Sequence, residues 1–227
     1  ELGQEFFAEY PFQVELVSND DEFVNYVRST KADLVILDRL NNEASFVDAL
    51  RESAKVVTFE DLGSGAERAD LLISDLYLNP RVPAANQLAG VGNAILAPTF
   101  ETLNRTATID ETVDDVLLLF GGTDPSQLAE KSLAALEELG FKGQVNVVRG
   151  LGADPIDFSK YSLSLNPLSN VKNMPPLMAQ ADIALSSAGR TITELACIGV
   201  PTVCMAQNDK ELTHTHTTEA NGVVMLG

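Results

Sequence analysis

The residues of this chain best suited to chemistry stand between Ala181 and Val203, in the run ADIALSSAGRTITELACIGVPTV. Ser186, Ser187, Ala188 and Gly189 follow an apolar stretch and precede a helical one, so small side chains line a strand-to-helix turn. Such a turn leaves backbone N–H groups uncovered at the positive end of a helix dipole, which suits a phosphate. Thr191 adds a hydroxyl donor. Glu194, three residues on, rises on nearly the same helix face, where its carboxylate can accept hydrogen bonds from a diol such as ribose. Phosphate at the helix tip and ribose one turn along describe a nucleoside diphosphate. Arg190 is placed either to neutralise phosphate or simply to stand at the surface. Thr191-x-x-Glu194 is equally the spacing of a capping box, in which both residues would only close the helix start.

A second turn of this kind lies in LLLFGGTDPSQ. Gly121 and Gly122 allow close approach of the backbone, and Thr123 or Asp124 can cap a helix expected to start at Pro125. A plain tight turn with an ordinary cap is the other reading. The two histidines, His214 and His216 in ELTHTHTTEAN, read as polar residues of a late helix. No set of residues has metal-ligand spacing, so neither a metal nor a cofactor is expected. Cys197 and Cys204, in apolar surroundings, read as small core residues of a protein from a reducing compartment, which implies the cytoplasm.

The elements that must position these residues alternate between strand and helix. FQVELV (12–17) reads as a strand, Asp20 to Thr30 as a helix, 32–38 as a strand, Ala44 to Glu52 as a helix, and 55–61 and 70–77 as strands. Residues 98–112 have no periodicity and read as a linker. The pattern restarts with strands at 115–120, 143–150 and 162–168, a short helix at 174–181, and the strand, helix and strand of the run quoted first. The strands are continuous apolar runs, as expected where helices cover both faces of a parallel sheet. Two consecutive α/β domains follow, 1–97 and 113–227, each on a parallel sheet. The first reads as lacking its initial βα unit, and the chain stops at GVVMLG, a strand without a following helix.

The 227 residues include 33 acidic and 15 basic ones, a formal net charge of −18, with the acids spread along the chain. Nothing basic is available to neutralise nucleic-acid phosphates, so nucleic acid is excluded as a partner. An evenly acidic surface suits solubility at high salt and a halophilic source. There is no apolar run of the roughly 18–20 residues that a membrane span needs, and the start has no signal-peptide pattern. Any anion bound here must be held by backbone dipoles and a few cations.

The run SSAGRTITELACIGVPTVCMAQNDKELTH, preceded by NVKNMPPLMAQADIAL and LFGGTDPS, resembles the nucleotide-sugar half of GT-B enzymes. It is most similar to the family of the UDP-sugar hydrolase of pseudaminic acid biosynthesis and of the spore coat polysaccharide biosynthesis proteins. A more distant likeness is to the N-acetylglucosaminyl transferase of peptidoglycan synthesis. The resemblance implies two Rossmann-like domains with a cleft between them and a UDP-sugar as ligand. It implies that Val171 meets the uracil through its main chain and that Gly121 and Gly122 lie near the diphosphate. Ser187, Ala188, Gly189 and Thr191 would hold the phosphates, Glu194 the ribose, and Gln207 and Asn208 the sugar. The hydrolase's Gly-rich histidine loop, which activates water, has no counterpart in this sequence. Candidate bases are therefore the strand-end acids Asp38, Glu60 and Asp61, expected to face the cleft. The resemblance implies a UDP-sugar hydrolase or glycosyltransferase, or else a non-catalytic nucleotide-sugar-binding module. The sugar, the acceptor and the oligomeric state are left open.

Overall fold

In the computed structural model the described residues are Phe7, 11–101 and 112–226. They form two compact units, one of Glu1–Ser74 with Asn79–Leu88 and one of Asp75–Leu78 with Ala89–Gly227. Among the described residues no helix is long and apolar enough to cross a membrane.

The first unit is built from α1 (Asp20–Thr30), β1 (Leu34–Asp38), α2 (Ala44–Arg51), β2 (Lys55–Phe59), β3 (Leu71–Ser74) and β4 (Gln87–Ala89), with strand order β1-β2-β3-β4. Strands β1, β2 and β3 are parallel neighbours. The Asn19 side chain caps α1 by accepting from the Glu22 N–H at 2.9 Å, and Lys31 closes it in the left-handed conformation at φ 55°. Val35 and Leu37 of β1 and Val56 of β2 pack with Val24, Val27, Phe46, Val47 and Leu50 from the two helices. The opposite face of β1 differs from expectation, because Leu34 and Ile36 are exposed. The expected strand at 12–17 does not form. That segment pairs with no strand among the described residues, and Phe12, Val14, Leu16 and Val17 are exposed, so its apolar residues gain no ladder and no burial.

The second unit holds α3 (Pro98–Glu101), β5 (Asp115–Leu119), α4 (Leu128–Glu138), β6 (Gln144–Arg149), β7 (Ser164–Ser169), α5 (Met174–Met178), β8 (Ile183–Ser187), α6 (Thr191–Ile198), β9 (Thr202–Met205) and β10 (Val223–Leu226). The six strands run in the order β10-β9-β8-β5-β6-β7, all parallel. Alternate residues of β5 feed two cores, as its apolar run predicts. Leu117 and Leu119 pack with Phe100, Met178, Leu195 and Ile198 on one face. Val116, Leu118 and Phe120 pack with Leu128, Leu133 and Leu136 of α4 on the other. Of the segment read as a linker, Pro98–Glu101 is helical and Phe100 is buried in this core, while 102–111 lies outside the described residues.

The chain leaves β5 toward β6 and β7 and then returns to β8 on the other side of β5. The strand order therefore reverses between β5 and β8, and such a point opens a crevice at the strands' carboxyl ends where ligands of open α/β sheets bind. The two turns singled out in the sequence follow these two strands.

Candidate nucleotide-binding site

Helix α4 begins at Leu128 and not at Pro125. Asp124, held at φ 48°, places one carboxylate oxygen 2.9 Å from the Leu128 N–H and the other 3.0 Å from that of Ala129. This double cap needs three residues of turn, so the helix starts later than a proline-led start would. Gly121 has φ +77°, and a Cβ on either Gly121 or Gly122 would meet open space, so both turn residues face an unfilled volume. Behind them Gly150 is indispensable, because its Cβ would lie 2.3 Å from the Gly122 carbonyl oxygen and 2.4 Å from that of Gly121.

Gln207 ties the end of β9 to the end of β5. Its Nε2 donates to the Phe120 carbonyl at 2.7 Å, and its own carbonyl accepts from the Ser126 hydroxyl at 2.9 Å. The Gln207 side-chain oxygen is buried without a partner. Asn208 turns inward on its own loop, its Oδ1 accepting from the Lys210 and Glu211 N–H groups. Val171 follows β7, two strands from β5 in the sheet.

The turn from β8 to α6 is held by the segment after β9. Glu211 Oε2 accepts from the N–H groups of Ala188 at 3.2 Å and Gln207 at 2.8 Å. His214 Nδ1 bonds the Ala188 carbonyl, and His216 Nε2 bonds the Gly189 carbonyl at 3.1 Å. A carbonyl only accepts, so these two nitrogens carry the protons. The remaining nitrogens, His214 Nε2 and His216 Nδ1, are buried without partners among the described residues. Burial, foremost, pushes the His216 pKa down, aided by His214 and opposed by the Gly189 bond and by Asp75. The histidines do not lie in a helix as expected; a 3-10 turn ends at Thr213, and their rings are spent on backbone carbonyls. This clamp of Glu211, His214 and His216 escaped the sequence reading, although polar residues three and five positions apart after a strand end were its signal.

Helix α6 starts at Thr191 with Arg190 as its N-cap, and no side chain caps it. The capping-box alternative is therefore not what forms. The N–H groups of Gly189 and Thr191 have no backbone acceptor among the described residues. Glu194 is half-buried; desolvation raises its pKa, and no hydrogen bond to its carboxylate is seen among the described residues. Arg190 Nε stands 3.9 Å from Asp75 Oδ1, an ion pair with an exposed arginine, so its charge is shared with a carboxylate of its own unit. Ser187 is buried, and Ala188 is fully so.

The other face of α6 lines an apolar groove of about 650 Å³ with Pro201, Ala220 and Gly222, residues that precede β9 and β10. Ile192, Thr193 and His216 also line it. Cys204 is buried, with its thiol pushed up to about 12 mainly by burial, whereas Cys197 is exposed on that groove and is not the core residue expected.

The acids of the first unit divide. Asp38 ends β1 and is exposed. Glu60, at φ 49° and 5% exposed, accepts from the Ser74 hydroxyl at 2.7 Å. Asp61 is 1% exposed and accepts from the Asn42 N–H (3.1 Å), the Asn42 side-chain amide (2.8 Å) and the Gly63 N–H (2.8 Å). Three donors on one buried carboxylate are the arrangement of a loop brace.

Two parallel-sheet α/β units of this form make the fold that of the GT-B glycosyltransferases. The chain superposes on MurG of Acinetobacter baumannii with a TM-score of 0.57 at 15% identity, covering 98% of this chain and 74% of that one. With the spinosyn forosaminyltransferase SpnP the TM-score is 0.55 at 13% identity, over 92% of this chain and 66% of that one. Within that class, residues 116–220 match the glycosyltransferase family 28 C-terminal domain, which places both turns and the clamp inside the matched region. Among sequences, the chain is 26% identical over 213 residues to the spore coat polysaccharide biosynthesis protein SpsG of Bacillus subtilis, over 88% of this chain and 63% of that protein. It is 29% identical over 220 residues to an uncharacterized protein of Methanocaldococcus jannaschii, over 87% of this chain and 45% of that protein.

Proposed function

We propose that the second unit binds a UDP-sugar at the β5/β8 crevice and belongs to an enzyme that cleaves the bond between the sugar and the diphosphate. The observation that carries this reading is the start of α6: among the described residues the Gly189 and Thr191 N–H groups of a turn of small residues have no backbone acceptor, and one turn along a half-buried Glu194 carboxylate has no hydrogen bond. Gly189 and Thr191 then hold phosphate, with Arg190 beside it, Gly121 and Gly122 leave room for the diphosphate, and Glu194 accepts from the ribose. Helix and backbone dipoles stabilise the leaving UDP, so the reading routes no step through a metal. Gln207, with its spare buried oxygen, stands by the sugar, and Val171 is assigned to the base. The match to family 28 and the likeness to a polysaccharide biosynthesis protein favour surface-sugar assembly in the cytoplasm, with water or a sugar hydroxyl as acceptor.

A second reading, a nucleotide-sugar-binding module without catalysis, draws on the first unit, because the carboxylates of Glu60 and Asp61 are already engaged within their own loops. Calorimetric titration of UDP against CDP and GDP tests the site. Phosphorus NMR of the protein with a panel of UDP-sugars tests turnover. Selective UDP binding with UDP release supports the enzyme, selective binding without release supports the module, and no UDP binding by folded protein overturns both.

A further inference from the structure

The segment after β9 places three side chains on two consecutive residues of the α6 turn. Glu211 takes the Ala188 N–H, His214 the Ala188 carbonyl, and His216 the Gly189 carbonyl. A trans peptide is planar, and its C=O and N–H point in opposite directions. A donor that fixes the Ala188 carbonyl therefore fixes the Gly189 N–H on the other side of the chain. The bond to the Gly189 carbonyl sets the Arg190 N–H in the same way. We infer that His214 and His216 are positioning residues that lock these two peptide planes and so aim the N–H groups of the α6 turn at the anion. The inference rests on the UDP reading for the identity of that anion.

Several features show that the clamp is built for geometry. Gly189 has no Cβ, and the nearest atom a Cβ would meet is Ser187 Oγ at 4.0 Å, so neither its own side chain nor local crowding fixes its backbone. The planes must be held from outside. His214 is in turn wedged edge-on against Tyr77, with ring centroids 4.7 Å apart, and the two imidazoles lie 5.6 Å apart. The Thr215 N–H between them bonds the Leu76 carbonyl at 3.1 Å, which fixes the backbone that carries both rings. Each imidazole also keeps a buried nitrogen with no partner among the described residues, so the bond each ring makes is the one to the turn.

The test uses the chemistry of amide substitutes. An Asn side chain presents its N–H₂ near the position of an imidazole Nδ1, and Gln near that of Nε2. His214→Asn and His216→Gln should keep the clamp, whereas His214→Phe and His216→Phe keep the ring and remove the donor. The readouts are the ¹⁵N–¹H resonances of Gly189 and Arg190 in the protein without ligand, UDP affinity by calorimetry, and the melting temperature. The expected result is folded Phe variants whose two amide resonances move and whose UDP affinity drops about tenfold, with both restored in the Asn and Gln variants. Should the Phe variants fail to fold, the exchanged pair His214→Gln and His216→Asn misplaces the same polar group and must give the same displacement. Unmoved Gly189 and Arg190 resonances in folded variants lacking the donors would overturn the clamp, whatever UDP does. Moved resonances in a protein that binds no UDP would uphold the clamp and sink the nucleotide reading alone.

Discussion

Replacing Glu194 by Gln separates the cost of the site from its use. Desolvation on the α6 face raises the Glu194 pKa, and no donor among the described residues compensates it. A carboxyl whose pKa is raised on folding binds more protons in the folded chain than in the unfolded one. Stability therefore falls as pH rises from the unfolded value through the folded one, so the loss grows from acid toward neutral pH. Gln keeps the shape and removes the charge, so the melting temperature of Glu194→Gln should exceed that of the parent at pH 7. Below the carboxylate range, where both chains are neutral at this position, the difference should vanish. UDP affinity should move the opposite way, because a charge-assisted bond to the ribose is worth about 1.5–3 kcal/mol, or roughly ten- to a hundredfold. Thermal melts at pH 7 and near pH 3 and UDP calorimetry at pH 7 read all three. A variant that is more stable and still binds UDP at the parental affinity would refute the assignment of Glu194 to the ligand. A variant that loses affinity and stability together would show that the carboxylate supports the fold.

Three further outcomes follow from the geometry. Asp124→Ala removes both caps of α4 and should lower stability by about 1–2 kcal/mol in urea unfolding, with the change confined to α4 and the β5 turn in amide exchange. Gly150→Ala drives a Cβ into the carbonyl oxygens of Gly121 and Gly122, backbone atoms that cannot step aside, and should cost about 3 kcal/mol while weakening UDP binding by displacing that turn. For His216, burial holds the folded-state pKa below the ordinary value, so the unfolded chain binds the proton more readily. Stability should then fall as pH drops through the ordinary histidine value of about 6.5 and below it, and His216→Gln should flatten that slope; equal slopes would mean that other groups carry it.

Much of the second unit was legible because its strands are continuous apolar runs. Val116 to Phe120 and Ile183 to Leu185 fill cores on both faces of one sheet, and only parallel strands under helices need that composition. The two turns were legible as strand-to-helix turns for a related reason, since small residues there stand between an apolar run and a helical one. The same rule misled at 12–17, where an apolar run joins no sheet among the described residues, because composition does not reveal whether a ladder partner is present. Local chemistry hid the start of α4, as Asp124 in the left-handed region caps from four residues before the helix. The clamp was hidden for a deeper reason. His214 and His216 act on residues 26 and 27 positions earlier, and such pairings are set by the order of β8 and β9, which no local pattern records.

The acidity of the chain is compatible with the proposed anion site because of how the nearby carboxylates are employed. A net charge of −18 opposes a diphosphate at long range, but at physiological salt the Debye length is about 8 Å, so only charges at the crevice weigh heavily. There Glu211 faces the Ala188 and Gln207 amides, Asp124 faces two amides of α4, and Asp75 faces Arg190. Each of these carboxylates lies against donors, and two of them are used to shape the turns that follow β5 and β8. Glu194 alone among these acids stands half-buried without a hydrogen-bond donor from the described residues. A ligand that brings an anion to the turn and two hydroxyl donors one helical turn along completes both halves, and the order of phosphate and ribose in a nucleoside diphosphate supplies them in that sequence.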